Sequence, residues 1–350
     1  MGNLKVHDKL DIQAGGQVEV LDEFGSGGQG TVYKVSYNGK TYALKWYHPG
    51  VFKGKENDFY KNLENNISNG APTDAFLWPK AITKVYNDQF GYLMDVRPSG
   101  YEELTNFFVG GRKQKQARFK SFYALCTAAI NIIEAFRALH NNGYSYQDIN
   151  NGNFFINPEN GDVLICDNDN VSPFGTNLGI MGKQRWMAPE IVMGKNDPDK
   201  NSDRFSLAVV LFRLLFINHP LEGRYSTPPC MTKELEQKYY GSAPIFVYDP
   251  TTSENRPIPG TDHNLKLFWN VYPDYVKDAF IRAFSHDVMM KQKPRILEKE
   301  WLDIFIRLRT EIGRCPYCGQ ETFYTFKGSH DIPCCLLYTS PSPRDYAASR

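Results

Sequence analysis

One segment, Tyr144–Asn170 (YSYQDINNGNFFINPENGDVLICDNDN), constrains this chain more than any other. It holds an acid, Asp148, an amide five residues on, Asn153, and a second acid after two apolar runs, Asp167. Asp148 and Asn153 fall in a polar, glycine-containing loop. Phe154–Ile156 and Val163–Ile165 read as short strands, with the turn-rich Asn157–Gly161 between them. A hairpin of this kind brings Asn153 and Asp167 together at one end. Two oxygen donors there, completed by phosphate oxygens and water, suit Mg²⁺. Asp148 is left to accept a proton from an attacking hydroxyl.

Upstream, Gly25-Ser26-Gly27-Gly28-Gln29-Gly30-Thr31-Val32 spells G-x-G-x-x-G-x-V. Glycines let a backbone close over phosphates and aim amides at them. Strands are predicted on both sides, Val18–Phe24 before it and the hairpin Tyr33–Tyr37 and Thr41–Tyr47 after it, turning at Asn38-Gly39. A dinucleotide fingerprint would open a helix instead. In Ala43-Leu44-Lys45 the lysine sits between apolar neighbours, where burial is costly without a partner. Phosphates and one carboxylate would supply that partner. Helical spacing covers Asn57–Ile67 and, most strongly, Phe119–Asn141, which Gly143 ends. Phe90–Val96 reads as a strand. Residues before Gly16 are polar and expected to be loose.

In order and spacing these features resemble the protein kinase family over about residues 19–310. Asp148 to Asn153 matches its catalytic loop, Asp167-Asn168-Asp169 its metal-binding triplet, and Ala188-Pro189-Glu190 its A-P-E signature. The resemblance implies an α+β, bilobal fold at 15–310, with a small β-rich lobe to about 96 and a larger helical lobe from about 98. It implies ATP and Mg²⁺ as cofactors and phosphoryl transfer to Ser or Thr of a protein substrate. Gly25–Gly30, Val32, Ala43 and Lys45 would surround the nucleotide, and Glu64, nineteen residues past Lys45, would orient that lysine. Met94 would stand as gatekeeper, and Asp95, Val96 and Arg97 would meet adenine through backbone groups. Asn153 and Asp167 would hold Mg²⁺ and Asp148 would be the catalytic base. Asp203 would hold the catalytic-loop backbone, with helix capping as the plainer alternative. Glu190 and Arg295 would form a structural ion pair. A nucleotide-binding pseudokinase scaffold is the alternative, and a small-molecule kinase of related fold is disfavoured by the A-P-E segment.

The departures are specific. Tyr146 and Gln147 stand where the family has His and Arg, so a phosphorylated activation loop has no obvious cationic partner. Asn150 replaces the usual Lys, and Lys183, after Gly182, is expected to restore that charge as a third catalytic residue beside Asp148 and Lys45. Asn168-Asp169 replaces Phe-Gly, leaving the hydrophobic spine one member short.

With 40 Lys and Arg against 39 Asp and Glu, nothing marks a nucleic-acid partner. No apolar run reaches about 18 residues, so no membrane span is expected. The N-terminus lacks a signal-peptide core, and the cysteines follow a reduced, cytoplasmic pattern. Cys315-Pro316-Tyr317-Cys318 with Cys334 forms a truncated zinc-ribbon-like segment at 315–334, lacking a fourth ligand at Leu337. Residues 335–350 read as adapter-derived, because CLLYTSPSPRD is what a transposase-library end would encode. The phrases DINNGNFFI, LICDNDNV and HPLEG resemble a bacterial kinase subgroup found with a von Willebrand-type protein and a protein phosphatase in tellurite-resistance-associated systems.

Overall fold

Alternation and turn chemistry account for the first lobe. A computed structural model describes residues 4–108, 116–315 and 319–323. Strands β1 (Lys9–Asp11), β2 (Gln17–Ser26), β3 (Gly30–Tyr37), β4 (Lys40–Tyr47), β5 (Ala81–Ile82) and β6 (Gly91–Met94) form one sheet, ordered β1-β2-β3-β4-β6-β5. The β3–β4 turn is the expected two-residue one, with Asn38 at φ 50 and Gly39 at φ 73, matching the twist of its strands. Register shifts after Val20 and Glu23 release the end of β2 from the core, and every residue from Leu21 to Ser26 is exposed. Gly30 has no room for a side chain: a Cβ there would lie 2.4 Å from the Trp46 carbonyl oxygen.

Strand β4 is buried on both faces. Leu44 and Trp46 enter a core with Val18, Val20 and Val35, whereas Ala43, Lys45 and Tyr47 point the other way, toward helix α1 (Glu56–Asn69) and the cleft. From Leu4 onward the N-terminal stretch is not loose. Leu4, Leu10 and Ile12 are buried in the same core and β1 pairs with β2, so the folded unit begins ahead of residue 15.

The second lobe is built on α3 (Phe122–Asn141) and α5 (Lys200–Phe216). Ser121 caps α3 by accepting from the Ala124 N–H at 3.0 Å. By length and composition α3 is apolar enough to cross a membrane. In the fold it is a core helix, packed between β9–β10, α5 and the C-terminal helix. Asp199 caps α5 in a reciprocal capping box with Ser202. Between α3 and α5 come β8 (Tyr144–Ser145), the hairpin β9 (Phe154–Ile156) and β10 (Val163–Ile165), β11 (Ser172–Pro173) and the short α4 (Pro189–Val192). Strand β7 (Glu102–Glu103) joins the hairpin as its third strand and leads into α2 (Leu104–Phe108).

Helices α6 (Lys233–Gln237), α7 (His263–Val271), α8 (Asp274–Ala283), α9 (His286–Met289) and α10 (Glu298–Thr310) complete the lobe. A last hairpin, β12 (Ile312–Arg314) and β13 (Glu321–Phe323), packs back onto it: Phe323 is buried in the lobe core and the Glu321 carboxylate accepts from the Phe122 N–H at 2.5 Å. Cys315 is buried at the start of this hairpin's turn. Cys318, Cys334 and the 335–350 tail lie outside the described residues.

Candidate active site

Register brings the hairpin ends together. Phe154 pairs with Ile165, and the Cys166 N–H donates to the Asn153 carbonyl at 2.9 Å, so Asn153 and Asp167 come from adjacent positions of one ladder. The chain from Ala75 to Leu77 clamps the same end, donating from Leu77 N–H to the Ile165 carbonyl at 2.8 Å. Asp167 adopts a left-handed backbone, φ 53 and ψ 44, which an Asp tolerates better than most residues. Asn153 spends its amide N–H on the Asp148 carbonyl at 2.9 Å, leaving Oδ1 as its atom for a cation.

Asp148 lies beside them. Asn150 donates to its carbonyl and to its Oδ1, each at 3.1 Å. Burial pushes the Asp148 carboxyl up to about 6; the Asn150 hydrogen bond works against this and the nearby Asp167 carboxylate adds to it. The Lys183 backbone also hydrogen-bonds to Asp148, while its ammonium reaches Asn151 Oδ1 at 2.8 Å on an exposed edge of the loop. Beneath the loop, buried Asp203 accepts from the backbone N–H groups of Tyr146 at 2.6 Å and Gln147 at 2.9 Å. Capping is left to Asp199, so Asp203 has the loop-holding role.

Lys45 is 5% exposed and points into this cleft from β4. Its ammonium donates to Asp169 at 3.0 and 3.2 Å, to Gln29 Oε1 at 3.1 Å and to Asp167 at 3.4 Å. Burial alone would lower the Lys45 pKa, but Asp167 and Asp169 more than reverse this and leave it raised. Asp169 also accepts from the hydroxyls of Tyr47 at 2.6 Å and Tyr92 at 3.3 Å.

The expectation for Glu64 is overturned. Its carboxylate accepts from Gln13 Nε2 at 2.7 Å, on the solvent side of α1. The helix turns Phe59, Asn62, Leu63 and Asn66 inward, at steps of three and four, and Glu64 falls off that stripe. Asn62 and Asn66 meet the segment after Asp167 instead, donating to the Val171 carbonyl at 2.8 and 2.9 Å. Sequence reasoning missed Asp169, Tyr47, Tyr92 and Asn62. Tyr47 was accessible to it, two residues from Lys45 on the same strand face, as was Asn62 on the inward stripe.

Four of the remaining expected residues gather in the first lobe. Val32, Ala43, Met94 and Val96 join a single apolar cluster, with Ala43 and Met94 in register. The Asp95 side chain turns outward to Lys80 at 2.7 Å, leaving only its backbone for a ligand. Gly25 and Gly28 have open space where a side chain would project, a Cβ at Gly27 would meet only the Gly30 carbonyl oxygen at 3.9 Å, and Ser26 Oγ is bonded to Thr31 Oγ1 at 2.9 Å. A buried ammonium, two oxygen donors at a hairpin end and an open glycine loop fit a magnesium nucleotide.

The activation segment is fixed by neutral groups and by ion pairs, among them Arg185 with Glu222 at 3.3 Å and Glu236 at 3.5 Å. Gln147 donates to the Thr176 carbonyl at 2.7 Å and to Ser145 at 3.0 Å. Arg295 holds Glu190 with two parallel bonds of 2.8 and 2.7 Å, both side chains buried, as expected.

A model of the protein kinase domain matches residues 18–240. A probable serine/threonine-protein kinase of Dictyostelium discoideum is 29% identical over 67% of this chain and 23% of its own length. The stress-activated protein kinase alpha of the same organism is 26% identical over 66% and 35%. The serine/threonine/tyrosine-protein kinase HT1 of Arabidopsis thaliana is 24% identical over 82% of this chain and 69% of its own. The chain thus spans about a third or less of the two Dictyostelium relatives. With the fold and the family model in agreement, the chain belongs to the protein kinase family.

Proposed function

We propose that this protein is an ATP-dependent kinase that phosphorylates Ser or Thr of a protein substrate. The observation that carries this reading is the convergence of Lys45, Asp148, Asn153 and Asp167 in one cleft between the lobes. Bound Mg²⁺·ATP supplies the electrophilic phosphoryl group and its leaving group. Lys45 offers a fixed positive charge to phosphate oxygens. Asn153 Oδ1 and the Asp167 carboxylate offer cation ligands. The Asp148 carboxylate orients the acceptor hydroxyl and takes its proton, and Asn150 fixes the direction in which that carboxylate points. Catalysis of this kind is mainly positioning and charge stabilisation. Transfer of labelled phosphate from ATP to a generic protein substrate, compared with Asp148→Asn, tests the reading: transfer by the parent and loss in the variant support it. Nucleotide binding without transfer by either protein would leave a pseudokinase scaffold.

The narrower parts of the reading rest on sequence phrases. DINNGNFFI, LICDNDNV and HPLEG support a bacterial stress or signalling setting, in the cytoplasm, with a cognate phosphatase and a von Willebrand-type protein as partners. Co-purification from cells carrying such a system, with phosphosite mapping on the captured proteins, tests it. Cys315 and Cys318 support a zinc knuckle, which zinc analysis of the purified protein checks.

A further inference from the structure

A buried ammonium needs a counter-charge, and the one that Lys45 finds does not come from helix α1. Asn62 and Asn66 are the polar side chains that α1 turns toward the segment following Asp167, and both are neutral amides. Asp169 is 1% exposed and has both carboxylate oxygens within 3.2 Å of the Lys45 nitrogen. The phenols of Tyr47 and Tyr92 cover the same two oxygens, which fixes the carboxylate in orientation as well as charge. Asp167 is the more distant partner, at 3.4 Å, and its side chain is 39% exposed. Once Asp167 turns to a cation, Asp169 is the acid that still faces the lysine.

We propose that Asp169 is the positioning residue for Lys45, taking from within the 167–171 segment the role expected of a helix α1 carboxylate. The proposal rests on the kinase reading above. It makes the charge partner of Lys45 a residue of this segment, which α1 holds only through the neutral amides of Asn62 and Asn66. Asp169 also keeps Lys45 from collapsing onto Asp167 and competing with Mg²⁺.

The test uses the full chain and the variants Asp169→Asn and Glu64→Gln. In Asp169→Asn, kcat should fall roughly ten-fold or more with a smaller change in KM for ATP. The half-saturating Mg²⁺ concentration should rise about three-fold or more, because Lys45 is left with Asp167 alone. Glu64→Gln should move neither by more than about two-fold. A second readout needs no turnover: acetylation of Lys45 by acetic anhydride, followed by peptide mass spectrometry and normalised to exposed Lys40. It should rise about five-fold in Asp169→Asn and stay level in Glu64→Gln. If Asp169→Asn does not fold, Tyr47→Phe removes one donor to the same carboxylate and should raise Lys45 acetylation about two-fold. Unchanged acetylation in both Asp169→Asn and Tyr47→Phe overturns the proposal, as does an equal effect of Glu64→Gln. A faster Asp169→Asn would make the residue a brake and overturn it too. If the parent transfers no phosphate, the kinase reading falls, while the acetylation contrast still decides the role of Asp169.

Discussion

Asp148 should give the transfer reaction an unusual acid limb. Burial holds its carboxyl at about 6, against the opposing hydrogen bond from Asn150. At pH 5 only about one molecule in ten then carries the carboxylate, compared with more than nine in ten for an ordinary aspartate near 3.9. The expected result is a fall in kcat/KM of about ten-fold between pH 8 and pH 5, with an inflection near 6. Asn150→Ala removes a bond that favours the ionised form and should move the inflection upward.

The same shift has a stability consequence whose sign can be fixed in advance. A carboxyl whose folded pKa is raised favours the fold when protonated. Its contribution is full below the unfolded value and is lost as pH rises through about 6. Ionising Asp148 therefore costs the native state about 1–3 kcal/mol above pH 7. Asp148→Asn escapes that cost, so the inactive variant should be more stable than the parent at pH 8 and indistinguishable from it at pH 4. Urea unfolding at the two pH values, beside the activity profile, measures both effects. An inflection below pH 5, or no stability gain at pH 8, would refute the argument from burial.

Three further outcomes are expected. Arg295→Ala strands the Glu190 carboxylate in the core with, among the described residues, only Lys291, at 4.0 Å, to answer it; it should cost about 3–5 kcal/mol and lower Tm by roughly 5–8 °C in calorimetry, whereas a loss under about 1 kcal/mol would mean the pair is dispensable. Phosphatase treatment should leave the transfer rate within about two-fold, because Gln147 ties down Thr176 through a carbonyl and offers no charge to a phosphate. Lys183→Ala should lower kcat about ten-fold and nucleotide affinity by less than two-fold if its ammonium swings from Asn151 into the cleft during transfer; equal losses in both, or none, would leave it a surface lysine.

Much of this site was legible because its signals are local. The β9–β10 hairpin needed only two apolar runs and a turn, and β3–β4 only Asn38-Gly39. The Glu190–Arg295 pair followed from a familiar order of residues, although 105 positions separate the partners. Glu64 failed because counting residues from Lys45 ignores which face of a helix looks inward; the buried set Phe59, Asn62, Leu63 and Asn66 carries that information. Asp203 could be told from a helix cap only once Asp199 was seen in that role. The Lys45–Asp169 pair had no pattern to betray it, since a contact across 124 residues depends on how two lobes close.

The substitution of Asn168 for an aromatic residue shows what kind of hold this segment has. Asn168 is fully buried, and its amide donates to the carbonyls of Leu77 and Ile165, each at 2.9 Å. Tyr146 donates to the Cys166 carbonyl, and Asn62 and Asn66 converge on that of Val171. At about 1 kcal/mol net for each bond, these five together outweigh the roughly 2–3 kcal/mol that one buried aromatic ring would supply. Against them, the Oδ1 atoms of Asn66 and Asn168 are buried without a partner among the described residues, each costing about 1–3 kcal/mol. Net stabilisation is therefore small, and the difference lies in geometry. An apolar ring tolerates sliding and rotation in its pocket, but amides bonded to particular carbonyls do so only by giving up those bonds. Swinging the segment out would expose Asn168 to water at little gain while leaving the Leu77, Ile165 and Val171 carbonyls to find new donors. The polar replacements thus favour one fixed placement of Asp167 and Asp169, the two acids that face Lys45.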